Sequence, residues 1–257
     1  MRRRTLLALA APMLLAACAP GGGSAPRATP TPEPPAIVYA AIGASETIGI
    51  GTDDPTRESF PQRLFQRLGP AATFYDFGLP SETTAAALKD ELPGALQVRP
   101  TLATVWLNVD DLIGSVPVSD YEAQLDQLVA TLRRAGARVA VANTPHLDHL
   151  PAYAACRPNA AAGTKCPLGA ITLPPPDQVE AQVVSYNAAI ARVAAREGAT
   201  LVDLYASGEV PDLHPGYVSK DGFHPSAAGA LAIADTFATA LGIAPSPSPS
   251  ASPRGRG

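Results

Sequence analysis

The segment YAAIGASETIGIGTDD, residues 39–54, runs apolar up to Gly43 and then presents one serine, Ser45. A small-residue turn after a strand leaves a serine side chain clear of the backbone and lets its amide reach a ligand. At neutral pH a serine hydroxyl is a weak nucleophile and needs a base within hydrogen-bond reach. The chain offers four histidines: His146, His149, His214 and His224. His224 lies in Asp221-Gly222-Phe223-His224-Pro225. Asp221 can orient its ring and stabilise the imidazolium that forms when it takes a proton. Gly222 lets the chain turn between them, and Pro225 suits the first position of a following helix. The same residues also describe an ordinary helix entrance. His214, in PDLHPGY with Asp212 close by, is the competing base.

These residues need rigid elements to hold them. Five short apolar runs, 37–42, 73–78, 102–109, 138–143 and 200–204, read as strands. Helical patterns at 59–68, 83–96 (interrupted at Pro93), 119–135 and 177–197 separate them, and a last helix follows at 226–241. In the third helix Tyr121, Leu125, Leu128 and Leu132 recur at helical spacing, Ser119 and Glu122 form a capping-box pattern, and Gly136 supplies the stop. In the fourth, Val179, Val183, Tyr186, Ile190 and Val193 form one stripe ahead of Gly198. Strands alternating with helices imply parallel pairing, and near-continuous apolar strands imply a sheet covered on both faces. The expected fold is α/β: a three-layer α/β/α sandwich on a five-stranded, mainly parallel sheet. Ligands in such folds bind beyond the carboxyl ends of the strands, where Ser45, Gly78, 108–111 and 143–149 fall.

In combination these blocks resemble the SGNH/GDSL-type esterases and acylhydrolases. Gly43-Ala44-Ser45, with Gly49 beyond, is similar to the first family block, although Ala44 stands where GDS has aspartate. Asp76-Phe77-Gly78-Leu79-Pro80 matches the second, and Asp221 to Pro225 matches the last, a DxxHP motif. The resemblance covers residues 36–243 and implies a flavodoxin-like SGNH fold without metal or organic cofactor. It implies that Ser45 attacks an ester carbonyl, that His224 moves the proton and that Asp221 orients His224. The Ser45 and Gly78 amides would donate to the oxyanion. The expected activity is carboxylic ester hydrolysis through an acyl-serine. The alternatives are an acyltransferase using the same triad and a binding module that has kept the fold.

The third block departs from the family pattern of Gly-x-Asn-Asp. In VWLNVDDL, Asn108 takes the glycine position and Asp110 the asparagine position. An ionised carboxylate has the wrong sign for a developing oxyanion, and losing one oxyanion donor costs about 2.7–4 kcal/mol. Three explanations stand: Asn108 supplies the amide from the same strand face; Asp110 stays protonated in a poorly solvated site and donates as a neutral acid; or turnover has been lost. His146-Leu147-Asp148-His149 offers metal-type ligands but no third and fourth partners, so it reads as a loop on the site's rim. Trp106 and Tyr75 read as core, and Asn187 as a local hydrogen bond within its helix.

The ends of the 257-residue chain do not read as fold. Residues 1–18 carry Arg2, Arg3 and Arg4 and an apolar run, as in a secretory signal. They close on Leu15-Ala16-Ala17-Cys18, which resembles a bacterial lipobox with Cys18 lipidated. The arginines fit a twin-arginine signal or a simple positive start equally well. Residues 19–35 read as a Pro/Gly-rich spacer and 244–257 as a Pro/Ser-rich tail. The folded unit is then 36–243, lipid-anchored at the extracytoplasmic face of the membrane. Cys156 and Cys166 share one loop of the long 145–176 segment and read as a disulfide in an exported protein. A net charge of −4 with 5% aromatic residues argues against nucleic acid as a partner. The expected partner is a small-molecule, lipid or acylated-glycan ester, met by a monomer.

Overall fold

Five parallel strands lie in the order β2-β1-β3-β4-β5. They are β1 Val38–Gly43, β2 Thr73–Asp76, β3 Leu102–Trp106, β4 Arg138–Ala142 and β5 Thr200–Val202. A computed structural model describes residues 36–169, 172–207 and 214–243. The signal, Cys18, the spacer, Asp212 and the tail lie outside the described residues.

Helices α1 Pro55–Glu58 and α2 Phe60–Phe65 connect β1 to β2, and α3 Thr84–Asp90 and α4 Leu92–Gln97 connect β2 to β3. Next come α5 Val109–Ile113, α6 Val118–Arg134, α7 Pro151–Cys156, α8 Pro176–Glu197 and α9 Ala227–Leu241. Strand alternation divides the core. Ala40, Ile42, Ala103, Val105, Val139 and Val141 pack with the stripes of α6 and α8. Tyr39, Ala41, Ala140 and Ala142 point the other way, onto Phe60, Leu64 and Phe237 of α2 and α9. The expected three-layer α/β/α sandwich on a parallel sheet is therefore the observed one.

Local chemistry moves several boundaries. The strand expected at 102–109 stops at Trp106, because Asn108 opens α5 and Asp110 lies in the first helical turn. The face-sharing argument that linked Asn108 to Asp110 along one strand therefore fails. The capping box at Ser119 and Glu122 is also absent. α6 begins behind Pro117, Ser119 Oγ donates to Asp120 Oδ1, and Glu122 instead binds Arg192 of α8 at 2.6 Å. Gly136 and Gly198 do end their helices, at φ +95° and +62°. Tyr75 is 42% exposed on edge strand β2, not core. Residues 145–176 are not a bare loop, since they hold α7 and a 3₁₀ turn at Leu147–His149. Cys156 and Cys166 are bonded as a disulfide, with Cα atoms 4.6 Å apart.

Candidate active site

Strand β1, between β2 and β3 in the sheet, delivers Ser45. Gly43 ends β1 as glycine because a Cβ there would lie 2.0 Å from Thr47 Oγ1 and 2.8 Å from the Trp106 carbonyl. Its amide donates to Glu91 Oε2 at 2.9 Å, a carboxyl with no exposed surface. The chain then coils tightly, with Thr47 N and Ile50 N donating to the carbonyls of Ala44 and Ser45. The Ser45 amide has no intramolecular acceptor among the described residues.

His224 arrives from the far end of the chain on a turn built around Asp221. Asp221 Oδ1 accepts from the Phe223 and His224 amides at 2.8 and 2.9 Å, and Oδ2 meets His224 Nδ1 at 2.7 Å. Gly222 makes this turn possible at φ +77°. His224 Nε2 lies 3.0 Å from Ser45 Oγ. Burial works to raise Asp221, but the bonds from the His224 ring and the two amides outweigh it and hold the carboxyl at about 2. Asp221 is thus ionised at neutral pH and accepts from Nδ1–H, which leaves Nε2 to accept the serine proton. The structure thus brings together the three residues singled out for the triad. His214, the competing base, is exposed and stacks on Tyr217.

The expected oxyanion donors fare differently. Gly78 stands against the nucleophile turn, where a Cβ would lie 2.9 Å from Thr47 Cγ2, but its amide donates to Asp76 Oδ1 at 3.0 Å. Burial lifts Asp76 to about 6, so the acceptor that holds this amide is itself titratable. Asn108 Nδ2 donates to the Ala142 carbonyl of β4 at 3.4 Å, and its Oδ1 is buried without a partner. One of its two amide N–H groups is thus used between strands. Asp110 is half-buried, and burial, with Glu46 and Asp111 beside it, pushes its carboxyl up to about 7 against the pull of His224. Asp111 is fully buried and accepts from Thr84 N and Oγ1, both at 2.9 Å, pinning the start of α3.

One residue at the site, Glu46, carries no reading from the sequence. Glu46 Oε2 accepts from Ser45 Oγ at 3.3 Å, so one hydroxyl proton faces two acceptors, and burial pushes this carboxyl up as well. Its position next to the serine was the available signal. Asn187 makes no local bond. From α8 it accepts from Thr144 N at 2.8 Å and donates to Thr144 O at 2.9 Å, fixing the exit of β4. His146, Asp148 and His149 stand together on that exit, with potential ligand atoms within 4.8 Å of one another. His146 Nδ1 is 3.6 Å from Glu180, and the His146 ring stacks on Tyr205.

A cleft of about 700 Å³, open solvent included, adjoins the serine through Glu46. Trp106, Leu150, Tyr217, Phe223 and Ile233 make its walls mainly apolar. A model of the GDSL-like Lipase/Acylhydrolase family matches residues 41–232, a span that includes Ser45, Asp221 and His224. The chain belongs to that family. Solved structures agree at the level of fold, which is what likeness at such identities shows. The crystal structure of TesA superposes with a TM-score of 0.60 at 18% identity, covering 79% of this chain and 97% of that one. The lipase/acylhydrolase from Enterococcus faecalis gives 0.57 at 16% identity, covering 82% and 99%. Esterase EstA from Pseudoalteromonas sp., inhibited by monoethylphosphonate, gives 0.60 at 14% identity, covering 80% and 97%. No curated protein matches the chain. This GDSL-family hydrolase carries two carboxyls raised by burial, Glu46 next to the serine and Asp110 near Glu46 and His224.

Proposed function

We propose that this GDSL-family hydrolase cleaves carboxylic esters through an acyl intermediate on Ser45. The observation that carries the reading is the continuous relay from Asp221 Oδ2 through His224 to Ser45 Oγ, at 2.7 and 3.0 Å. Ser45 Oγ bonds to the ester carbonyl carbon while His224 Nε2 takes its proton. The tetrahedral intermediate collapses as the C–O bond to the alcohol breaks, and His224 returns the proton to that oxygen. A water then repeats the sequence on the acyl-serine and releases the acid. A phosphonate ester of p-nitrophenol tests the nucleophile. It is expected to add one phosphonyl group to the Ser45 peptide, read by mass spectrometry, with none on the Ser45→Ala protein. An adduct on another residue, or on both proteins, would count against the assignment.

The oxyanion is stabilised, in this reading, by the Ser45 amide and by Asp110 acting as a neutral acid. Gly78 joins when its amide turns from Asp76 to the substrate. Asp110 serves better than Asn108, which is buried and turns one amide N–H to Ala142. Only the protonated form of Asp110 can donate, and its carboxyl sits at about 7. Activity should therefore fall as pH rises through that value. In Asp110→Asn, whose amide donates at every pH, kcat/KM above pH 8 should exceed that of the parent by about tenfold. A pH–rate profile that Asp110→Asn leaves unchanged would remove Asp110 from the oxyanion site.

A further inference from the structure

The hydrolase reading leaves Glu46 without a task, and its surroundings suggest one. The carboxyl projects into the cleft beside the nucleophile, half-buried, with Ser45 Oγ as its close side-chain partner. No Lys or Arg lines the cleft, and Glu46 forms no ion pair among the described residues. A carboxylate held in apolar surroundings without a cation is costly, so it either keeps a proton or takes a cation from a ligand. The walls supply a second contribution. Trp106, Tyr217 and Phe223 line the same cleft, and aromatic rings attract ammonium groups most strongly where water is excluded. Asp221, ionised, adds negative charge close by.

We propose that the cleft selects esters that carry an ammonium group a few bonds from the scissile carbonyl, with Glu46 as the specificity-determining residue. This rests on the hydrolase reading for the reaction, but the recognition itself needs no turnover. The ammonium sits against the Glu46 carboxylate and the aromatic walls, and it holds that carboxyl in its ionised form. It also draws the carboxylate off the Ser45 hydroxyl, leaving His224 as the one acceptor for the serine proton. Substrate charge then selects and frees the nucleophile in one step. A neutral ester of the same shape leaves the carboxyl facing apolar atoms.

Choline and 3,3-dimethylbutan-1-ol share one shape and differ in charge. Titrated by ligand-observed NMR into the full chain carrying Ser45→Ala, choline is expected to bind about tenfold more tightly. Adding Glu46→Gln should bring the two affinities together, while Glu46→Asp should keep part of the difference. On the parent protein, kcat/KM for acetylcholine should exceed that for 3,3-dimethylbutyl acetate by a similar factor. Equal binding of the two alcohols overturns the proposal, even if the Glu46 variants fail to fold. So does a choline preference that survives Glu46→Gln. Preferential choline binding by a protein that hydrolyses no ester would uphold the inference and refute the hydrolase reading instead.

Discussion

Asp221→Asn is expected to cut ester turnover about 10⁴-fold while leaving the melting temperature within a few degrees of the parent. The two carboxylate oxygens have separate duties. Oδ1 accepts the Phe223 and His224 amides, and an asparagine carbonyl can continue to do so. That places the new NH₂ where Oδ2 now meets His224 Nδ1. A donor there forces Nδ1 to accept, which moves the ring proton to Nε2 and points it at Ser45 Oγ. A histidine in that tautomer cannot take the serine proton. The turn survives and the base is lost, so kcat/KM and a thermal melt on the same sample should separate cleanly. Turnover within tenfold of the parent would show that His224 does not depend on Asp221 and would sink the relay.

The second large effect concerns stability. Glu91 lies wholly buried beneath the nucleophile turn, and burial, with the nearby acids Glu82, Asp76 and Asp90, lifts its carboxyl to about 9 against the Gly43 amide bond. An unfolded chain releases this proton near the ordinary value of 4.5. Between those two values the folded state holds a proton that the unfolded state has lost. The contribution is therefore fully present below the unfolded value and disappears as pH rises through about 9. Each pH unit within that window costs up to about 1.4 kcal/mol for this group. Asp76 and Asp110 act in the same sense over the lower part of the range, their carboxyls standing at about 6 and 7. Asp221 acts in the opposite sense, but only in strong acid. The melting temperature should accordingly fall from pH 5 to pH 9, by several degrees per unit. Glu91→Gln keeps an acceptor for Gly43 N and should flatten most of that slope. A melting temperature that is level or rising across the range would refute a neutral Glu91.

The parts of this molecule legible in the sequence were those set by short-range pattern. Apolar runs broken by glycine and proline gave the sheet and its covering helices, and the Asp221 turn was visible because its parts lie within five consecutive residues. Ser45 and Gly78 could be placed because each follows a strand. What escaped depended on partners distant in sequence or on one boundary. The α8 residue Asn187 binds Thr144 across 43 positions, which no local pattern records. Glu122 reads as a cap by spacing, yet Pro117 shifts the helix start and the side chain serves Arg192 instead. Pairing Asn108 with Asp110 requires a strand that continues past Trp106. Once Asn108 opens a helix they have different jobs. Glu46 and Glu91 are ordinary acids by composition, and burial, which sequence does not state, is what makes them consequential.

The serine and the histidine that faces it are 179 positions apart. Ser45 stands near the start of the folded region, and His224 immediately precedes its last helix, α9. A chain emerging from its N-terminus presents the proposed nucleophile early, while the proposed base is among the last groups to arrive. Until α9 docks on α2 through Phe237 and Phe60, whose rings stack at 5.0 Å, Ser45 has no proton acceptor from the turn that carries His224. In the proposed mechanism the reacting pair is therefore complete only once the two ends of the folded region have met.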